Sequence, residues 1–279
     1  MYQRYGIRIF VSLLAVTFLA GASFAQKLTE QHTTLKTEET SDSEPREEEL
    51  TRFAENVTLH VVLHELAHAL IREFDLPILG NEETMADAFA THYLTFHMPD
   101  RAEAVIRARV QSLMFEAGEV PKKDWEVQGE HNNDARRAYQ IVALAIAADP
   151  KKYKSLGDLV EMSERQIGQS SDYGAEIHRS WRRILKPIWM TKGMQSNEAR
   201  IVFDEGSVLA RAIRSGSLAG EIQQTIKRFD WHSQIKVTFV QGEGGAGWSR
   251  SKRTIAVHDE YIDRFVRQGR EIEKGNEKK

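Results

Sequence analysis

The sequence contains no cysteine. Disulfides, thiolate metal sites and a cysteine nucleophile are therefore excluded, and any metal must be held by histidine and carboxylate. Proline is scarce, at six residues, and Pro77, Pro99 and Pro150 read as helix boundaries. Charge of one sign is not in excess: 38 Lys+Arg stand against 41 Asp+Glu, a net charge of −3. A dedicated nucleic-acid binder carries a strong basic excess, so nucleic acid is not an expected partner. Past the first twenty residues no long apolar run occurs, which excludes a polytopic membrane protein. A chain of 279 residues can still bury a core as one large domain or two small ones.

At the start, Arg4 and Arg8 precede an apolar run from Ile9 to Leu19, then the small residues Ala20, Gly21, Ala22, Ser23 and Ala25. That order is a secretory signal peptide, residues 1–25, cleaved after Ala25 or Ala22 and too short to serve as a membrane span. The expectation is a soluble, exported bacterial protein, periplasmic or secreted, with no membrane span after cleavage. Residues 26–49 are polar and acidic, with Glu38, Glu39, Asp42, Glu44, Glu47, Glu48 and Glu49. They read as a disordered leader whose end merges into a helix N-terminus, where Pro45 and the acids are favourable.

From Leu50 the apolar residues Phe53, Val57, Val61, Leu66, Leu70 and Phe74 recur at helical spacing. Asn81 can cap a second helix running to about Met98. Further helical patterns cover Ala102–Glu116, Asp134–Ala148, Leu156–Ile167 and Tyr173–Leu185. Later, Ala199–Phe203, Gln234–Val240 and Thr254–His258 are short β-prone runs among helical stretches Ser207–Ile213, Ala219–Phe229 and Asp259–Ile272. The expected class is α+β: a mostly helical core over 50–194 and a small sheet contributed by 195–272. That second part either completes the core or forms a small domain, and 273–279 is a charged tail that frays.

The chemistry concentrates in His64-Glu65-Leu66-Ala67-His68. Four residues advance a helix by about 400°, so the two imidazoles sit one turn apart on one face, a spacing that suits one zinc ion. Glu65, beside the first imidazole, is placed to take a proton from water at the metal. A third donor is available 15 residues past His68, in Glu83, and Asp87 follows one turn later on the same face. Asp87 can hold an imidazole N–H from behind, fixing its tautomer. The plain alternative is that Glu82 and Glu83 complement the helix dipole and Asp87 lies on the surface; Glu83 is favoured over Glu82 as a ligand because only Glu83 shares a face with Asp87. Two histidines and one glutamate leave a fourth zinc position open, the arrangement of catalytic zinc. One Zn2+ per chain is the expected cofactor.

The stretches HELAHALI and DLPILGNEETMADAFA resemble the bacterial "putative metallopeptidase" family, which has a gluzincin-type zinc site. The segment from Glu130 to Tyr139 is similar to that family's E-H-x-x-D-x-Q-R-x-Y stretch, with Arg136 where Gln is usual, and Trp181–Pro187 to its closing tryptophan helix. The resemblance covers roughly Val57 to Pro187. It implies a zincin-like core with His64, His68 and Glu83 as ligands and Glu65 as catalytic base. Two departures stand out. The family's strand segment with paired cysteines is missing before the zinc helix, and Phe229–Tyr261 looks like that segment instead, with Gly242 and His258 near the cysteine positions. A circular permutation accounts for both, the late strands then supplying an edge beside the cleft.

Weaker signals read two ways. Gly242-Glu243-Gly244-Gly245-Ala246-Gly247 fits G-x-G-x-x-G, but Trp248 and Ser249 lead into a strand rather than a helix, so a flexible hairpin loop is expected, not a dinucleotide site. His131, Asp134 and Arg137 either line the cleft, where His131 or Arg137 would hold an oxyanion, or belong to a plain helix start with Asp134 as its cap and Arg137 in a surface ion pair. His60 reads as a packing residue or a support behind the metal, and His92 and His97 as core or surface. Asn56-Val57-Thr58 fits a glycosylation acceptor but lies on a helix. Hydrolysis of a peptide or protein substrate is the leading expectation. An inactive exported zinc-binding module, or a zinc amidase acting on cell-wall material, are the alternatives.

Overall fold

The computed structural model describes residues 44–78, 80–119 and 133–276. The expected signal peptide, the leader up to residue 43, and His131 lie outside the described residues. Helix α1 runs Glu44–Glu73, starting six residues ahead of Leu50, so the last part of the acidic leader is helical. Pro45 falls in its first turn, where a missing N–H costs nothing. Helices α2 (Glu82–His97), α3 (Pro99–Glu119) and α4 (Asp134–Ala148) follow. Asn133, rather than Asp134, caps α4: its Oδ1 accepts from Ala135 N at 2.9 Å and Arg136 N at 3.3 Å.

A short helix α5 (Pro150–Tyr153) leads into a 3-10 turn, Lys154–Val160. Here the expected helix over Leu156–Ile167 does not form. Glu161 adopts a left-handed φ of 53°, and Ser163 opens a new helix α6, Glu164–Leu185. Gln166 Oε1 accepts from Ser163 N at 2.8 Å, while Gln166 N donates to Ser163 Oγ at 3.4 Å. This reciprocal cap satisfies two end donors at once and overrides the apolar periodicity that runs through it.

The remainder is β1 (Ala199–Phe203), α7 (Val208–Ser215), α8 (Ser217–Ile226), β2 (Ile235–Val240), β3 (Ala246–Ser249), β4 (Thr254–His258) and α9 (Asp259–Asn276). Helix α9 carries on into the charged tail that was expected to fray. The chain is thus α+β, mostly helical with a four-stranded C-terminal sheet of order β1-β2-β4-β3. Strands β1, β2 and β4 are parallel and β3 is antiparallel to β4. The glycine-rich loop is not a hairpin, because β2 and β3 are not neighbours; it crosses the end of β4, with His258 N donating to Gly245 O at 3.2 Å. Gly244, at φ 140°, lies so close to the His258 ring that a Cβ there would come within 2.8 Å of it. The hairpin is the later one, β3–β4, turned through Arg250–Arg253.

One hydrophobic core runs through helices and sheet alike. Ile235, Val237, Phe239, Ile255 and Val257 on the two central strands are wholly buried. Trp189 stacks on Phe229 with ring centres 4.7 Å apart, and Phe89 of α2 packs edge-on against Trp181 of α6 at 5.2 Å. Helix α9 docks on α3 through Gln268, which accepts from Ser112 Oγ at 2.7 Å and donates to Glu116 at 2.8 Å. Among the described residues no helix is long and apolar enough to cross a membrane.

Two histidines are core residues. His178 Nε2 donates to Leu144 O at 2.8 Å, so its bare Nδ1 accepts from His92 Nδ1 at 3.1 Å. Burial, then the neighbouring His178, His97 and Arg182, push His92 down to about 3; burial and Arg228 push His97 down to about 4. The unfolded chain binds these protons near pH 6.5 and the folded chain does not, so their stability contribution is intact above that pH and declines below it. The expected slope is up to ~1.4 kcal/mol per pH unit per group. Denaturant titrations between pH 7 and about 4 should reveal it, and His92→Gln should flatten the slope; an unchanged slope would acquit His92.

Helices α4 and α6 meet at Gly174, where any Cβ would overlap Ala147. Gly174→Ala should therefore destabilise by ~1–3 kcal/mol through overpacking, exceeding the ~1 kcal/mol gained in helix propensity. Equilibrium unfolding measures the difference, and a more stable variant would show that the helices can part freely.

Candidate metal centre

The site begins with the end of α1. Asp75 takes a left-handed φ of 46°, and Leu76 N donates back to Ile71 O at 3.0 Å. This reversal, usually made by glycine, is tolerated by aspartate. Asn81 then starts α2, its Oδ1 accepting from Thr84 N at 2.9 Å. The two helices run antiparallel: His68 meets Glu82 while His64, one turn back, meets Asp87 one turn on.

Three donors converge between them. His64 Nε2 lies 3.1 Å from Glu83 Oε2 and 3.2 Å from His68 Nε2. His68 Nε2 lies 3.3 Å from Glu83 Oε1. On the far side of each ring a carboxylate waits: Asp87 Oδ1 accepts from His64 Nδ1 at 2.8 Å, and Glu82 Oε1 accepts from His68 Nδ1 at 2.8 Å. With both Nδ1 atoms donating, both Nε2 lone pairs point inward at the Glu83 carboxylate. Lone pairs that close repel unless protons or a cation lie among them.

The electrostatics report the same demand for positive charge. Burial alone would lower His68, but hydrogen bonds to Glu83 and Glu82 and the charge of Glu65 outweigh it and push His68 up to about 9. Burial would raise Glu83, yet its hydrogen bonds to both imidazoles hold its carboxyl well below the ordinary range. Two imidazoles with inward lone pairs and one carboxylate, all with donor atoms within 4.8 Å of one another, fit a divalent ion that accepts nitrogen and oxygen.

Each carboxylate behind the rings is itself gripped by an arginine. Arg137 Nε donates to Asp87 Oδ2 at 2.8 Å and Nη2 to Oδ1 at 3.0 Å. Asp87 is buried, and although burial opposes it, the Arg137 charge and the His64 bond hold its carboxyl well below the usual value. Arg72 donates to both oxygens of Glu82, on the solvent side. Arg137 lines the cleft, but not with its whole fork free; two of its donors are engaged by Asp87, a partner 50 residues away. Nor is it a surface ion pair, because its side chain is 11% exposed.

Glu82 and Arg72 escaped the sequence reading, which weighed Glu82 only as a ligand or a helix-dipole complement. The signal was available: two imidazoles that turn Nε2 toward one point need two Nδ1 acceptors, and Asp87 supplies only one. Glu65 lines the same cleft as His64 and His68, half-buried. His131 lies outside the described residues. Asn56 is buried and accepts from Arg101 at 3.1 Å, which leaves no room for a glycan. The cleft, about 710 Å³, is closed on the other side by Ala246, Gly247 and Trp248 of edge strand β3 and by Tyr261 of α9.

Fold and donor set together define an α+β protein with a His-His-Glu cluster of the kind that holds a divalent metal. The family described as "Putative metallopeptidase" matches residues 23–185, more than half of the chain, and the chain belongs to that family. The match ends with α6, so the C-terminal sheet lies beyond it. Neither a curated protein nor a solved structure matches the chain.

Replacing Asp87 tests the buried buttress. Asp87→Asn should cost up to ~3–5 kcal/mol, because Arg137 is left buried with only the longer contact to Asp134 at 3.8 Å, and should weaken binding of a divalent metal ~10–100-fold. Unfolding curves and competitive metal titration read the two effects separately; normal metal affinity would detach Asp87 from the site.

Proposed function

We propose that the protein is an exported zinc-dependent peptidase in which His64, His68 and Glu83 hold the metal and Glu65 is the general base. The observation that carries this reading is the convergence of three inward-facing lone-pair donors with a fourth, unligated carboxylate, Glu65, in the same cleft. Zinc held there would supply Lewis acidity, lowering the pKa of water and polarising a carbonyl oxygen. Glu65 takes a proton from the attacking water and returns one to the leaving amine. Asp87 and Glu82 hold the imidazoles in one tautomer and one orientation, so that no reorganisation is needed during reaction.

The cleft also suits an extended chain. Strand β3 is the last strand of the sheet and pairs only with β4 among the described residues. Its free edge beside Glu65 offers main-chain donors and acceptors to a peptide lying alongside, which positions a scissile bond without regard to sequence. That geometry supports a peptide or protein as the substrate. Export rests on the order of charged, apolar and small residues in 1–25.

Glu65→Gln keeps shape and removes the base. Zinc content should stay near one ion per chain by elemental analysis, while cleavage of a peptide library falls ~10²–10⁴-fold. Chelation of the unaltered protein should abolish cleavage too. Undiminished turnover in Glu65→Gln would remove Glu65 from its role, and a zinc-loaded wild type that cleaves no peptide would sink the peptidase reading.

A further inference from the structure

Arg109 sits on α3 with 4% of its surface exposed, and it lines the same cleft as Glu65. Among the described residues its Nε and Nη1 are buried with no hydrogen-bond partner. A guanidinium stays charged at every accessible pH, and a buried charge without a counter-ion is among the costliest arrangements a fold can keep. Its neighbours in the cleft are not in that position: Arg137 is neutralised by Asp87 and Arg72 by Glu82. Among the described residues no carboxylate lies within ion-pair distance of Arg109. Asp134 feels its charge but has Arg137 as its paired guanidinium, at 3.8 Å.

His60 adds a second unmet group. It is fully buried one turn before His64, neither ring nitrogen has a partner among the described residues, and it borders the cleft. Burial first, then the Arg109 charge, hold it well below its usual pKa, and both residues line the same cleft. A second groove of about 550 Å³ shares Arg72 and Arg250 with the cleft and is bordered also by Lys236, Lys252, Arg253 and one acid, Glu73, so its rim carries a basic excess. Such a rim raises the local concentration of acidic chains.

We infer that Arg109, with His60 in the same cleft, is a recognition site for a carboxylate of the substrate. The preferred substrates are therefore peptides that place either an Asp or Glu side chain or a free C-terminus there. The inference rests on the peptidase reading for its substrate, but its test does not require turnover. The guanidinium fork would pair with both carboxylate oxygens, and the cost of burying the arginine is recovered only when that anion arrives. Arg109 and His60 thereby discriminate among chains rather than take part in bond cleavage.

The test uses the full chain carrying Glu65→Gln, loaded with zinc, and three fluorescent forms of one N-blocked peptide: amidated and neutral, neutral with a free C-terminus, and amidated with a single Glu. Binding is followed by anisotropy. One carboxylate form should bind ~10–100-fold more tightly than the neutral amide, the margin of a charged hydrogen bond, and which form does so names the source of the carboxylate. Adding Arg109→Met should erase the gap, while Arg109→Lys should keep part of it. As an independent readout, succinate should raise the melting temperature of the parent protein but not of Arg109→Met. Equal binding of all three peptides, a gap that survives Arg109→Met, or an indifferent melt with succinate would each overturn the proposal. So would failure of both Arg109 variants to fold, since the arginine would then be a packing element. Carboxylate selectivity through Arg109 in a wild type that cleaves nothing would leave this site standing and the peptidase reading fallen.

Discussion

Everything at this site depends on two helices crossing so that an imidazole pair on one faces a carboxylate trio on the other. Glu83 occupies the centre, and Asp87 and Glu82 stand behind the two rings, each tied to an arginine from elsewhere. The result is a chain of alternating charge from guanidinium to carboxylate to imidazole, ending in lone pairs that point at one spot. The two buttresses differ in strength. Asp87 and Arg137 are almost wholly withdrawn from water, whereas Arg72 is half exposed. An ion pair in solvent contributes little, and one in the interior is costly to break. His64 is therefore the fixed reference of the site and His68 the more forgiving partner.

The rest of the molecule serves to hold that crossing against a wall. Helix α9, pinned to α3 through Gln268, carries Tyr261 to the cleft, and the edge of the sheet brings Trp248 to the same place. The aromatic group of Phe89, Trp181, Trp189 and Phe229 joins α2 to the segments around the sheet. Because the core is continuous, the sheet cannot shift without disturbing the helix that carries Glu83. Positioning of strand β3 at the cleft and positioning of the His-His-Glu cluster are one packing problem.

Much of this was legible beforehand. The four-residue spacing of His64 and His68, the carboxylates at Glu83 and Asp87, and the short punctuated loop between them are local signals, and local geometry carried them into the structure. The helix over Leu156–Ile167 was misread because apolar periodicity was weighed without the capping residues Ser163 and Gln166. Strand β3 was taken for loop because Ala246-Gly247-Trp248-Ser249 is too short and too rich in glycine to announce itself, and it is a strand only because β4 lies beside it. Glu82 was overlooked for a different reason: its helix face says nothing about His68 until the two helices are placed antiparallel.

By itself the amino-acid sequence determined which side chains share a helix face, where most helices begin and end, and that any metal must be met by nitrogen and oxygen. Those outcomes depend on neighbours within a few residues, whose relative positions the backbone period dictates. Only the tertiary structure decided that Arg137 answers Asp87 across 50 residues, that Arg109 lies in the cleft with no partner among the described residues, and that strand β3 lines the same cleft as Glu65. Such contacts join elements far apart in the chain, and no local period relates them; they exist because one core can be packed in few ways.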